Sequence, residues 1–201
     1  MEGRPAPTSE AAAGFPPDIR DLLDQLEANT RDAHAVVLGL TAEQGEWRAE
    51  PGSWSVAQCL DHLATANRVY LGAMRPTAAR AREERRLRSG VAKPGLLGGL
   101  FVWSLEPPVK LALKMKAPRK IKPQPSPPLA GALAAFVASQ HDMLAFLRES
   151  ADLDLAHVRF PNPFVRGVRF SLATGFHVTV AHERRHLSQA WRVRRAAEQA
   201  H

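Results

Sequence analysis

The sequence predicts an all-α fold, a four-helix bundle, on three observations. Apolar residues recur at steps of three and four in four segments of roughly 20–30 residues, as on one face of a helix. No segment shows the alternating pattern of a half-buried strand, and there is no repeat of fixed period. The chain of 201 residues, 45% hydrophobic and 23% charged, is sufficient for one ordinary globular core.

Residues 1–17 are predicted to be a flexible N-terminal tail, and residues 18–200 form the bundle domain. The tail has four prolines and lacks the cationic start and apolar run of a secretory signal. The longest apolar stretch, residues 95–105, is far shorter than the ~20 residues of a membrane-spanning helix. We therefore expect a cytoplasmic protein. One cysteine excludes a disulfide framework and a thiolate-cluster metal site.

The first long helix is predicted over residues 19–40, with Asp18 as its cap. Thr41 and Gln44 have the spacing of a capping box that opens a short helical turn. The breaker Pro51-Gly52 follows.

The second long helix is predicted over residues 56–74, since Ser55 and Gln58 form a second capping box before it. Pro76 should interrupt it, although helical structure can resume in the arginine-rich stretch 78–88. The third long helix is predicted over residues 129–150. The last one follows a loop. This loop is predicted over residues 152–170, and the last helix over residues 171–200.

Residues 89–128, between the second and third long helices, are predicted to be an irregular Pro-rich insert. The insert holds eight of the 16 prolines, the apolar run 96–105 and, between residues 110 and 122, five lysines. A connection of this length is typical of a functional lid or a mobile segment. Its apolar part could cover the bundle or a dimer mate, which we favour, or lie on an anionic membrane surface.

Two histidines, His182 and His186, lie four residues apart and therefore share one face of the last helix. On a helical wheel this face is separate from both the apolar arc and the arginine-rich arc, so it should face an interior cleft. Burial and mutual charge would keep both imidazoles neutral and free to bind a metal ion. The alternative is a pair at the bundle edge, hydrogen-bonded to backbone or water.

The same string matches the HExxH motif of zinc metalloproteases, with Glu183 in the position of the general base. A protease would need a third ligand and a substrate-binding edge strand, and the sequence predicts no strand. The wheel also places Glu183 in the apolar arc. The protease interpretation is therefore disfavoured.

A catalytic metal usually has three protein ligands and an open position, and His62 is the best candidate for the third. It lies two turns into the well-capped second long helix, where a buried core histidine is the alternative. Gln189 could hydrogen-bond a ligand or substrate. Cys59 could be an extra ligand, although a small buried apolar residue is favoured. The other histidines fit less well: His34, His141, His157, His177 and His201.

Four short motifs occur in order along residues 18–197. They are Trp47-Arg48 with Pro51-Gly52-Ser53-Trp54-Ser55, then Asp61-His62-Leu63, then Asn162-Pro163-Phe164, and finally the string from His182 to Gln189. Together they resemble the DinB-like (YfiT-like) metalloenzyme superfamily. The insert and the arginine-rich stretch before it depart from that pattern.

The resemblance implies a four-helix bundle of DinB-like type, with up-down-down-up topology and a divalent metal bound by His62, His182 and His186. Zinc is the first choice and nickel the alternative. Characterised relatives transfer low-molecular-weight thiols, such as bacillithiol or mycothiol, onto electrophiles. The implied function is therefore a metal-dependent thiol S-transferase or hydrolase that acts on a small-molecule substrate. Dimers are frequent in the family, so a homodimer is implied.

The alternative function is a non-enzymatic binding module that uses the basic and apolar insert on an anionic membrane surface or a partner. The net charge of +7 is compatible with it, but peripheral membrane contact is not favoured. Nucleic acid is not expected as a partner, because no recognised motif is present and aromatic residues make up only 6%.

Overall fold

The computed structural model describes residues 14–107 and 117–200. The described part is mostly helical, which confirms the predicted all-α class. In chain order, its elements are α1 (Pro17–Val37), α2 (Ala42–Glu46), α3 (Val56–Glu83), α4 (Leu96–Leu105), a 3-10 helix (Arg119–Ile121), α5 (Leu129–Glu149), β1 (Arg159–Pro161), β2 (Arg169–Ser171) and α6 (Leu172–Ala200). Most of the predicted N-terminal tail lies outside the described residues, and so do Lys110, Lys114, Lys116 and His201.

The long helices α1, α3, α5 and α6 pack against one another, with α3 and α1 each in contact with both α5 and α6. Their buried faces form two apolar clusters. The larger cluster surrounds Phe160 and Phe176. The smaller surrounds Phe136, Leu60 and Leu187 and includes the first turns of α3.

Both predicted capping boxes are present. The Thr41 and Ser55 hydroxyls accept the backbone N–H of Gln44 and Gln58 at 3.2 and 3.1 Å, and both glutamine side chains accept in return. The expectation that Asp18 caps α1 is wrong. Pro16 holds that position, while Asp18 lies in the first turn and accepts from Arg88 at 2.7 Å and from the Ala92 backbone at 2.6 Å.

The predicted break at Pro76 is also wrong, because α3 continues through this proline to Glu83. A proline inside a helix removes one backbone hydrogen bond and crowds the preceding turn. Here the residues on both sides are packed into the core, since Met74, Ala78 and Ala81 are all buried. Tertiary packing therefore holds the helix together where local preference would end it.

The segment 89–128 is more regular than predicted, because it contains α4 and the 3-10 helix. The backbone of α4 lies close against α6 at Gly98, where a Cβ atom would come within 2.6 Å of Thr174 Oγ1. Glycine at this position therefore permits the two helices to touch.

The predicted loop 152–170 contains a two-stranded antiparallel hairpin, which corrects the expectation of no strand. Phe160 of β1 pairs with Phe170 of β2, and the Phe160 side chain is fully buried. Strands of three residues are too short to show an alternating pattern, so the sequence could not reveal them.

Helix α5 has the length and hydropathy of a membrane-spanning helix. However, 44% of its apolar window is buried inside the protein, including Phe136, Met143 and Leu147. Its side chains pack against α3 and α1, which is the behaviour of a core helix.

Candidate metal centre

Helices α3 and α6 bring His62, His182 and His186 together, although 120 residues separate the first two in the chain. Their candidate ligand atoms all lie within 4.8 Å of one another. The Nε2 atoms of His62 and His182 are 3.1 Å apart. Two nitrogens bound tetrahedrally at ~2.0–2.1 Å from one ion would be separated by about 3.3 Å. The spacing and the imidazole donors therefore fit a divalent metal ion.

Hydrogen bonds at the outer ring nitrogens orient two of these imidazoles. The Nδ1–H of His62 donates to the Ile121 carbonyl at 2.5 Å, and the Nδ1–H of His186 donates to Gln189 Oε1 at 3.0 Å. A proton on Nδ1 leaves the Nε2 lone pair free for an ion. This carbonyl or amide partner behind each ring is the usual support of a metal-binding histidine.

The carbonyl that supports His62 belongs to a strap, residues 121–125, that lies across α3. The Gln58 side chain donates to the carbonyls of Gln124 and Pro125 at 3.1 and 2.9 Å. Asp61 accepts the Gln124 backbone N–H at 2.8 Å and the Gln124 side chain at 3.3 Å. Residues 121–125 are therefore fixed against the helix that carries His62.

Replacing Asp61 with alanine should weaken zinc binding roughly 10- to 100-fold, the range typical of lost outer support. The reason is that the strap loses two hydrogen bonds and the Ile121 carbonyl moves away from His62. Isothermal titration of metal-free protein with zinc measures this change. Asp61→Asn is the matched control, since it retains one acceptor oxygen and should be affected less. Equal zinc affinities in wild type and Asp61→Ala would contradict the role of the strap.

The indole of Trp54 forms one wall of the site. Its ring lies 4.7 Å from that of His62 and is stacked 5.5 Å from that of His186. Trp54 directly precedes the α3 cap Ser55, so the capping box that starts α3 also sets the position of this wall. Trp54 is visible in the sequence as part of the motif before the second long helix, but its contact with the histidines depends on how α3 packs against α6.

Burial keeps the three imidazoles neutral. It lowers the pKa of His62 and, more strongly, that of His182, where the neighbouring His186 and His62 add to the effect. Burial also lowers the pKa of His186 to about 3. All three rings are therefore unprotonated at neutral pH, the form that binds metal.

Glu183 does not face the histidine site, because its carboxylate is held by amides from three other helices. It accepts from Asn29 of α1 at 2.8 Å, from Asn67 of α3 at 2.9 Å and from Gln140 of α5 at 3.2 Å. The residue is fully buried. A carboxylate engaged in this way cannot serve as the base of an HExxH protease, which removes the main support for that interpretation.

Burial raises the pKa of Glu183 to about 7, against the opposing effect of the amide hydrogen bonds. Since the folded pKa is above the usual 4.5, protonation stabilises the fold. This stabilisation is complete below pH 4.5 and is lost as the pH rises through about 7.

We therefore expect the free energy of unfolding of metal-free wild type, relative to Glu183→Gln, to fall by roughly 3 kcal/mol between pH 4.5 and 8. The buried histidines have the opposite trend, because their lowered pKa values cost stability as the pH falls below 6.5. They are present in both proteins, so the difference isolates Glu183. Urea denaturation at a series of pH values measures it, and a pH-independent difference would contradict the prediction.

The remaining predicted residues lie as follows. Gln189 contacts His186, so its hydrogen bond goes to a candidate ligand. Cys59 is fully buried in the smaller apolar cluster, and burial raises the pKa of its thiol to about 12. This favours the small apolar residue over an extra ligand. His34, His141, His157 and His177 are not part of the cluster.

A family model described as the DinB superfamily matches residues 25–190, a range that contains all three histidines. No curated protein and no solved structure matches the chain.

Proposed function

Because the chain belongs to the DinB superfamily, we propose that it is a metal-dependent enzyme that acts on a small molecule. The observation that carries this proposal is the convergence of His62, His182 and His186 at one point between α3 and α6. Helices α1, α3, α5 and α6 would be the four-helix bundle of the family, and residues 89–128 its insert.

Three imidazoles suit zinc, with nickel as the alternative. When bound, such an ion lowers the pKa of a thiol or a water molecule and makes a nucleophile available near neutral pH. His62, His182 and His186 would hold the ion, while the Ile121 carbonyl and Gln189 keep two of these rings in the required tautomer.

We propose thiol S-transfer as the reaction, with hydrolysis as the alternative. The support is the DinB-like resemblance, together with the aromatic surface beside the histidines. Trp54 provides an aromatic surface next to the histidines, against which an apolar electrophile can lie. His62 is buried whereas His182 and His186 are partly exposed, so a small substrate would approach from the α6 side.

The test is a thiol-transfer assay with zinc-loaded protein, a panel of low-molecular-weight thiols and 1-chloro-2,4-dinitrobenzene. In the reaction the thiolate sulfur forms a bond to the ring carbon, the carbon–chlorine bond breaks, chloride leaves and the thiol proton is released to buffer. The absorbance of the thioether reports the rate. We expect turnover that the His62→Ala and His186→Ala variants lose and that His141→Ala, altered at an exposed histidine outside the cluster, retains.

Ester hydrolysis measured with p-nitrophenyl acetate separates the two reactions. Turnover of the ester without any thiol transfer would favour hydrolysis as the reaction. Zinc-loaded protein that is inactive in both assays would contradict both proposed reactions. A homodimer and a cytoplasmic location stay predictions, which sedimentation velocity and cell fractionation would test.

A further inference from the structure

Helix α4 presents an exposed apolar face. Leu96, Leu97, Leu100 and Trp103 are 96, 85, 63 and 45% exposed, and at 100° per residue they share one arc of the helix. Gly98 and Leu105, on the opposite arc, are buried against the protein. No charged residue occurs in α4. A helix that is apolar all round, and that the described residues cover mainly on one side, has a face that ordinary monomers avoid exposing.

This face is held in a fixed position. Ala92, just before α4, donates its backbone N–H to Asp18 and accepts from His177 Nε2 at 3.2 Å. Gly98 brings the α4 backbone against Thr174 of α6. Beyond the end of α4, Glu106 is paired with Arg184. The exposed leucines therefore project from a braced helix.

The chain around α4 is strongly cationic. From Arg85 to Gln140 the sequence contains ten lysines and arginines but one acidic residue, Glu106. Glu106 is paired with Arg184, and Arg88, one of the ten, is paired with Asp18. Lys93, three residues before α4, is exposed, and Arg169 is exposed next to Phe170, whose ring lies 5.6 Å from that of Phe101. Positive charge thus accompanies the apolar face in both sequence and structure.

We propose that α4 docks this protein onto an anionic lipid membrane, with Leu96, Leu97, Leu100 and Trp103 in the interfacial layer. Ten residues are too few to span a bilayer but sufficient to lie in its surface. Tryptophan is favoured at that depth, and each lysine or arginine near anionic lipid adds attraction. The proposal is independent of the chemistry at the histidine site.

A second copy of this chain is the other occupant to consider. An isologous contact through α4 would bring together two surfaces that each carry the exposed cations Lys93 and Arg169. Like charges at a contact oppose association, whereas anionic lipid neutralises them. Charge therefore favours the membrane.

Vesicle flotation of the full-length protein tests the proposal, using vesicles of phosphatidylcholine alone or with 30% phosphatidylserine. We expect flotation with the anionic vesicles only, reduced by raising the salt concentration. Leu96→Gln/Leu97→Gln/Leu100→Gln should bind at least tenfold more weakly. Leu38→Gln, the same change at a leucine that is 76% exposed in another part of the protein, should bind like wild type.

Replacing the exposed cations described near α4, as Lys93→Gln/Arg169→Gln, should also weaken the preference for phosphatidylserine. Circular dichroism confirms that each variant is folded, and Leu97→Gln alone provides a milder change if the triple variant is not. Wild type that stays unbound at 0.1 M salt would overturn the proposal. So would a dimer, seen by sedimentation, that the leucine substitutions dissociate while vesicle binding is unchanged.

Discussion

Replacing His62 with alanine is expected to abolish stoichiometric zinc binding. Protein purified without a histidine tag should contain about one zinc or nickel ion per chain, and the variant almost none. Of the three candidate ligands, His62 alone comes from α3, so its loss leaves only two neighbours on one helix. We expect zinc affinity to fall by more than ~100-fold, beyond the range for the loss of a supporting hydrogen bond. Elemental analysis and calorimetric titration measure both effects.

His141→Ala is the matched control, because His141 is an exposed histidine on a different long helix. It should retain the full zinc content. Wild-type protein that contains no metal and takes up neither zinc nor nickel would contradict the proposal that this protein is a metal-dependent enzyme. That result would not affect the lipid-docking proposal, because that proposal depends on the exposed face of α4.

Replacing Glu183 with alanine is expected to produce a large loss of stability. Three buried amide donors, on Asn29, Asn67 and Gln140, would lose their common acceptor. Each amide keeps a second acceptor (the Val180 carbonyl, the Ser139 hydroxyl and the Leu26 carbonyl, respectively), so one N–H of each would lose its partner. A buried N–H without a partner costs about 1–3 kcal/mol. We expect the free energy of unfolding to fall by about 3–5 kcal/mol, measured by urea denaturation at pH 7.

Glu183→Gln is the matched control, since it keeps the shape and one acceptor oxygen. It should cost clearly less than Glu183→Ala. Equal losses for the two variants would mean that cavity formation, and not the unpaired amides, determines the cost. Because α1, α3 and α5 each donate to this carboxylate, the Ala variant should also denature with a less cooperative transition.

Helix positions could be predicted wherever a local signal exists. The capping boxes at Thr41 and Ser55 determine where α2 and α3 begin, and periodic apolar residues identify the long helices. The continuation of α3 through Pro76 could not be predicted, because it depends on the burial of the residues around the proline, which is a tertiary effect. The hairpin and α4 were missed because a three-residue strand has no measurable period and a helix apolar on all sides has no polar face to reveal it.

The site was predictable only in part, for a similar reason. The i, i+4 spacing places His182 and His186 on one face of α6, but their meeting with His62 depends on how α3 packs against α6. The roles of Ile121 and Gln124 could not be predicted, because they depend mainly on backbone groups, which are the same in nearly every residue type. Gln58 and Asp61 were visible as a capping residue and part of a motif, yet their bonds to the strap required coordinates.

The distance along the chain between His62 and His182 has a thermodynamic consequence. An unfolded polypeptide does not keep residues 120 positions apart at one point, so the complete donor set exists only in the folded state. By mass action, an ion at 100 times its dissociation constant would add about 2.7 kcal/mol to the folding free energy. Melting temperatures of this protein should therefore rise with free zinc and drop when a chelator is added.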